Sequence, residues 1–290
     1  MSMWPPDQAW RAPVGDFPPP WASAWGDDPY GLWADLTVNG ITQRMRWIEP
    51  SGPEGFLMGA PQAERDAITD TDFRKRANER ESEPTKTLIA EGFWLADTPC
   101  TQAIWQAVMG ANPSDFKDKP DSAQRPVEQV NWEDVKKFFL RFASSPEWGC
   151  EDRLGLPTEA QWEYATRAGS RTAYWWGDDA NNAMANWADD QRGTTPVKRY
   201  PANPWGLFDV HGNVWEWCAD PWRQRLDAQE VKSDQGACVV RGGSWVTRPE
   251  RARSAFRNGG GRGHRNRYLG FRFALRSSSH QGVEPQQGFL

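Results

Sequence analysis

Nineteen tryptophans against five tyrosines, in a chain with 26 glycines and 23 prolines, constrain the fold of this sequence more than any other feature. A buried indole must find an acceptor for its N–H, and irregular loops offer backbone carbonyls in quantity. The expectation is a fold with much irregular backbone, its loops held by Trp-to-backbone hydrogen bonds. With 290 residues, 38% hydrophobic and 25% charged, there is chain for one large or two small domains with a real core.

A net charge of −5 argues against a whole-surface affinity for nucleic acid or anionic lipid. Local charge differs: from Arg241 to Arg272 there are nine arginines, no lysine and one acid, Glu250. Such a basic island is either a binding face or a structural net. The opening "MSMWPPDQAW" has no basic n-region and no apolar h-region, and nowhere do eighteen apolar residues run together. A cytoplasmic protein with no membrane partner is expected. Cys100, Cys150, Cys218 and Cys238, widely spaced and without a CxxC pair, then read as reduced thiols.

Residues 1 to about 40 read as a Pro- and Trp-rich arm packed on the domain, and residues 277–290 as a disordered tail. "ITQRMRWIEP" and "GFLMGAP" read as strands, and the charged "QAERDAITDTDFRKRANERESEPT" as a solvated loop. Three helices are expected. One runs from Thr101 to Met109 and stops at Gly110; one is capped by Asn131 and carries Trp132, Val135, Phe139 and Phe142; one follows the capping box Thr158 to Gln161 and stops at Gly169. Short strands and loops fill the rest, and no period of 20 to 50 residues repeats. The fold class is α+β.

Four strings, "GLPTEAQWEYATRAG", "NPWGLFDVHGNVWEWCAD", "VVRGGSW" and "LGFRFAL", occur in this order. With them residues 41–276 resemble the formylglycine-generating-enzyme (sulfatase-modifying factor) family, a loop-rich variant of the C-type lectin fold. The resemblance implies one domain over 41–276. In the family's copper oxidases two cysteines follow the "GGS-aromatic" string, since soft thiolates select Cu(I). Those positions fall here at Thr247 and Ala252, so no copper is expected and no catalytic residue carries over. The family's iron-dependent branch needs histidines from an added domain. His211, His264 and His280 are the only ones here and form no triad.

The chain also resembles the variable proteins of diversity-generating retroelements, a non-enzymatic branch of the same fold. There a C-terminal stretch, here about 241–275, keeps a frame resembling "RGGSW", "RSAFRN" and "LGFR" while adenine mutagenesis rewrites the positions between. Randomised AAC or AAT codons cannot give Lys, Glu, Gln, Met or Trp. Val246, Thr247, Arg248, Arg251, Phe256, Gly259, Gly260, Gly261, His264 and Tyr268 obey that rule and are the expected ligand-binding set; Glu250 lies outside it. Arg253, Arg257 and Arg272 belong to the frame and are expected to tie loop carbonyls or acids together. Arg248, Arg251, Arg262, Arg265 and Arg267 are the freer ones.

The expected partner is an unidentified ligand, a protein before a nucleic acid. Two alternatives remain open: a formylglycine-generating-type oxidase with relocated metal ligands, and a nucleic-acid binder working through "GGGRGHRNR". The resemblance further implies a structural Ca²⁺ ion on the side chains of Asn213 and Glu216 and the Val214 carbonyl, with a second site at Asn186, Trp187, Asp189 and Gln191. Alternatively, Asn213 and Glu216 only hydrogen-bond loop amides.

Overall fold

The structure, a computed structural model, describes residues 11–13, 17–145, 153–188, 192–225 and 236–276. Strands β1 (Ala22–Asp28), β2 (Gly31–Val38) and β3 (Ile41–Ile48) form an antiparallel meander. In β2 the residues Leu32, Ala34, Leu36 and Val38 are buried and alternate with half-buried ones, the pattern of a strand with one face on the core. Residues 22–38 are therefore integral to the main sheet, which corrects the expected arm: the period-2 pattern outweighs the Pro and Trp content. Residues 1–10 and the expected tail lie outside the described residues.

The charged stretch expected as a loop is two helices, α1 (Gln62–Asp66) and α2 (Thr71–Arg80), placed between the paired strands β4 (Phe56–Met58) and β5 (Thr85–Thr87). Asp70 caps α2, its carboxylate accepting from the amides of Asp72 and Phe73. The helices were hidden from apolar periodicity because they pack through ions: Arg65 is buried, and the Glu64 and Glu81 carboxylates sit in ion pairs.

Strand β6 (Phe93–Ala96) leads to the expected helices α3 (Gln102–Met109) and α4 (Trp132–Ala143); β7 (Arg153–Gly155) leads to the third, α5 (Glu159–Arg167). Thr101 caps α3, and the boxes Asn131/Asp134 and Thr158/Gln161 open α4 and α5. On α4 it is Phe138 that is fully buried, with Phe139 at the margin of the core. The remaining strands are β8 (Trp215–Pro221), β9 (Ala237–Arg241), β10 (Arg257–Gly261), β11 (Leu269–Gly270) and β12 (Ala274–Arg276).

These strands make a six-stranded sheet in the order β1-β2-β3-β6-β12-β7 and a four-stranded sheet β10-β9-β8-β11. The main core includes Trp105 of α3 stacked on Phe138 of α4 at 5.4 Å, with Phe271 edge-on to both. Indole N–H groups do reach backbone carbonyls as expected: Trp132 to Cys218, Trp217 to Val130, Trp245 to Arg267 and Trp47 to Arg11. Among the described residues no helix is long and apolar enough to cross a membrane.

Candidate ligand-binding surface

Everything in the basic island hangs on four arginines that do not reach solvent. Arg241, at the end of β9, lies under the Trp162 ring, ion-pairs with Glu163 and donates to the Phe256 carbonyl. Arg253 grips Glu81 through two bonds and Glu64 through a third, so the loop is anchored to α1 and to the end of α2. Arg257 holds both Glu159 oxygens, at 2.6 and 2.7 Å. Arg272 holds both oxygens of Glu216, at 2.7 and 2.8 Å, and donates to two carbonyls. The expectation for Arg253, Arg257 and Arg272 was right: they form the net.

Between these anchors the chain makes a tight loop. Gly243 has φ +73°, and an added Cβ there would stand 2.8 Å from Ala252 Cβ and 3.0 Å from Thr247 Oγ1. The two positions where family cysteines are expected thus meet at one point, without a thiol at either. Thr247 is buried, its hydroxyl accepting from the Ser244 amide at 2.8 Å and donating to the Ser244 carbonyl at 2.9 Å. The Ala252 carbonyl accepts from His211 Nδ1 at 2.6 Å, while Nε2 accepts from the Trp175 amide at 3.3 Å. Burial, the larger influence, pushes this imidazole down to about 3, so it stays neutral.

The ten expected ligand-binding residues divide. Val246, Arg248, Gly261 and His264 are exposed; Arg251 and Tyr268 are half-buried, Arg251 lying 4.1 Å over the Phe73 ring. Thr247 and Phe256 are corrections to the set. Thr247 closes the turn just described, and Phe256 is 2% exposed in the main core, facing Trp215. Gly259 and Gly260 are also constrained: a Cβ at either would lie 2.7 Å from the ring of Trp222 or Trp217. Residues the sequence reading missed are Asp70, Phe73 and Arg80 of the α2 region, which border the same surface. The N-cap Asp70 was the one local signal for them.

The calcium set does not fit at its centre. Both Glu216 oxygens are taken by Arg272, and one also accepts from the Trp162 indole at 2.7 Å. The Asn213 amide is satisfied by Thr195, Asp209 and Asn186. The hydrogen-bonding alternative describes Asn213, which accepts from the Thr195 amide, whereas Glu216 is the buried counter-ion of Arg272 and, among the described residues, meets no loop amide. Asn186 is different: its Oδ1 is buried with no partner, the kind of hard donor Ca²⁺ takes. Its expected companion Trp187 is buried in an aromatic cluster, and Asp189 and Gln191 lie outside the described residues. Among the described residues no three His, Cys, Asp or Glu side chains gather as a metal site. Cys100, Cys218 and Cys238 are unbridged and buried, which pushes their thiols up; Cys150 is outside the described residues.

Residues 56–277 match the model of the sulfatase-modifying factor enzyme 1-like domain. The serine/threonine-protein kinase pkn1 of Chlamydia caviae is 35% identical over 54% of this chain and 25% of its own length. The formylglycine-generating enzyme of Thermomonospora curvata is 31% identical over 55% of each chain. The chain thus spans a quarter to about half the length of these curated relatives. Among solved structures, Treponema denticola variable protein 1 superposes with a TM-score of 0.67 at 24% identity, covering 84% of this chain and 99% of that one. The fold is the C-type lectin-like fold of the formylglycine-generating-enzyme type.

Proposed function

Since the chain belongs to the sulfatase-modifying factor enzyme 1-like family, we propose that it is a member that binds a ligand rather than one that oxidises a cysteine. One observation carries this reading: Thr247 and Ala252 meet beside Gly243, where the family's chemistry needs two thiolates. A hydroxyl engaged on both sides by Ser244 and a methyl group offer Cu(I) nothing. The loop around them is nonetheless anchored by ion pairs from Glu64 of α1, from Glu81 just past α2 and from Glu159 and Glu163 of α5.

Such a frame presents Val246, Arg248 and His264 to solvent on loops and Gly261 at the end of β10, with Arg251 and Tyr268 half-buried beside them, the arrangement in which exposed side chains can change without unfolding the scaffold. Likeness to a solved variable protein supports reading these positions as diversified by a retroelement. The nucleic-acid alternative is weaker, because Arg248 and Arg265 are already paired with Asp70 and Asp134, and Arg253, Arg257 and Arg272 are buried. A structural calcium ion, in this reading, sits on the Asn186 side and not on Glu216.

The decisive assay offers a cysteine-containing sulfatase peptide, Cu(I) and oxygen. The wild-type protein gives no aldehyde, and Thr247→Cys/Ala252→Cys gains Cu(I) binding. Turnover by the wild type comparable to a family oxidase refutes the reading. A near-identical repeat of the 3′ coding segment, differing at adenines and next to a reverse-transcriptase gene, tests the diversification.

A further inference from the structure

A cleft of about 580 Å³ opens beside β10, a size that small ligands commonly fill. Its walls are Arg80, the last residue of α2, and Trp222, just past β8; its floor is the backbone of Gly259, Gly261 and Gly263, with Arg262 beside them. A Cβ on Gly261 or Gly263 would meet no atom within 4 Å, so this floor is open and a ligand can approach the backbone closely.

The charges around the cleft are unbalanced. Arg80 is half-buried, donates to the neutral Asn258 Oδ1 at 2.5 Å and lies 5.7 Å from the Trp222 ring centre. Among the described residues it has no carboxylate partner, and neither has Arg262, which rests over Trp132. Arg257, 5.0 Å from the other wall residue Trp222, shows what balance looks like: Glu159 holds it by two bonds. Burial first, then the charge of Arg76, with Glu79 opposing and Arg257 adding, hold Arg80 below the usual guanidinium range. Arg251 nearby is lowered by burial and by Arg76 and Arg80, with Asp70 opposing, and its Nε is buried without a partner. Arg80 and Arg262 thus border the cleft with no carboxylate bonded to either among the described residues, and guanidinium forks favour carboxylate or phosphate.

We propose that this cleft binds an oxyanion, the phosphate or carboxylate group of a small ligand, on the guanidinium of Arg80 with Arg262 at the rim. Arg80 and Trp222 lie outside the segment 241–275, so the site goes beyond the display reading and does not depend on diversification. It gives the surface a fixed charged anchor next to positions that can vary.

The test titrates inorganic phosphate and, separately, acetate into the full-length protein at constant ionic strength, with chloride as the reference. Binding is read by calorimetry and by Tm. Saturable binding that raises Tm is expected, and the arm with the lower Kd names the group. Arg80→Gln should weaken it at least tenfold, and Gly261→Asp, which sets a carboxylate on the open floor, should do the same. Arg74→Gln, on the same helix but outside the cleft, should bind as wild type. If Arg80→Gln does not fold, Gly261→Asp carries the comparison. No saturable binding of either anion, or wild-type binding by Gly261→Asp, overturns the site and leaves the copper argument at Thr247 and Ala252 untouched.

Discussion

Two sets of arginines share the segment from 241 to 272 and differ in what surrounds them. Arg241, Arg253, Arg257 and Arg272 are each at most 3% exposed, with glutamates buried alongside. Arg248, Arg262, Arg265 and Arg267 face solvent; two of them share exposed pairs with Asp70 and Asp134. The same side chain is structural where its counter-ion was desolvated with it and available where it was not. Buried ion pairs recover their desolvation cost only when both partners stay, so they fix a geometry more than they add stability.

The largest effect expected is therefore the loss of one buried partner. Glu163 is fully buried between Arg167 and Arg241, both of which hold its carboxylate below the usual range against the opposing effect of burial. Glu163→Gln should cost about 3–5 kcal/mol in chemical denaturation. Arg265→Gln, which removes the exposed pair with Asp134 and leaves the capping box of α4 in place, should cost about 0–1 kcal/mol. Equal losses would erase the distinction between the two sets.

A second pair of substitutions sharpens the boundary between frame and display. Phe256→Ala should destabilise by about 3–5 kcal/mol, since the ring is core rather than surface. Gly260→Ala drives a methyl group against Trp217 and should cost about 1–3 kcal/mol, while Gly261→Ala, one residue on, enters open space and should leave the unfolding midpoint where it is.

The third test uses pH. The folded state depresses His211 to about 3 from an ordinary 6.5, so its contribution is complete above pH 6.5 and is lost progressively as pH falls toward 3. Within that window the slope approaches about 1.4 kcal/mol per pH unit for one proton. Buried Glu128 and Asp209 act oppositely: burial raises them to about 7 and about 6, so their stabilisation is full at low pH and is lost as pH rises through those values. The readout is accordingly the difference between wild type and His211→Gln, which should show one proton fewer taken up on acid unfolding. Parallel pH profiles would mean that the imidazole already titrates in the folded protein.

Calcium should act more gently. EGTA is expected to lower the Tm of the wild type by a few degrees and to leave Asn186→Leu unmoved; the shift follows ligand concentration over Kd. An identical Tm with and without EGTA removes calcium from the account.

Why parts of this molecule could be read from sequence and others not follows from the range of the forces involved. The caps at Thr101, Asn131 and Thr158 bond within three residues of themselves, so their helices are legible locally. Helix α2 has a local signal in Asp70 but no apolar stripe, because its partners are Arg253, Arg251 and Arg248 about 170 residues away. Strand β2 carried its alternation in plain view beneath distracting proline and tryptophan. The frame strings announced the net of arginines, but which glutamate meets which arginine is tertiary. The same holds for Phe256 and Thr247: nothing adjacent in sequence distinguishes a core phenylalanine or a turn-closing threonine from a displayed one.

The smallest effect expected is at the display positions themselves. Val246, Arg248 and His264 end in solvent, Arg251 lies half-buried over the Phe73 ring, and the one ion pair they make among the described residues, Arg248 with Asp70, is largely solvated. Serine at all four should shift stability by no more than about 0.5 kcal/mol at each of the three exposed sites, the usual range for such positions, and by little more at Arg251, whose buried Nε loses no bond. Tyr268 is left out of the set because it packs against the core. The measurement is the denaturation midpoint of the fourfold variant beside that of Glu163→Gln, under the same buffer and salt. The first should nearly overlay the wild type and the second should not. Should the fourfold variant unfold as readily as Glu163→Gln, the loop is part of the core's own support, and no surface here is free to vary.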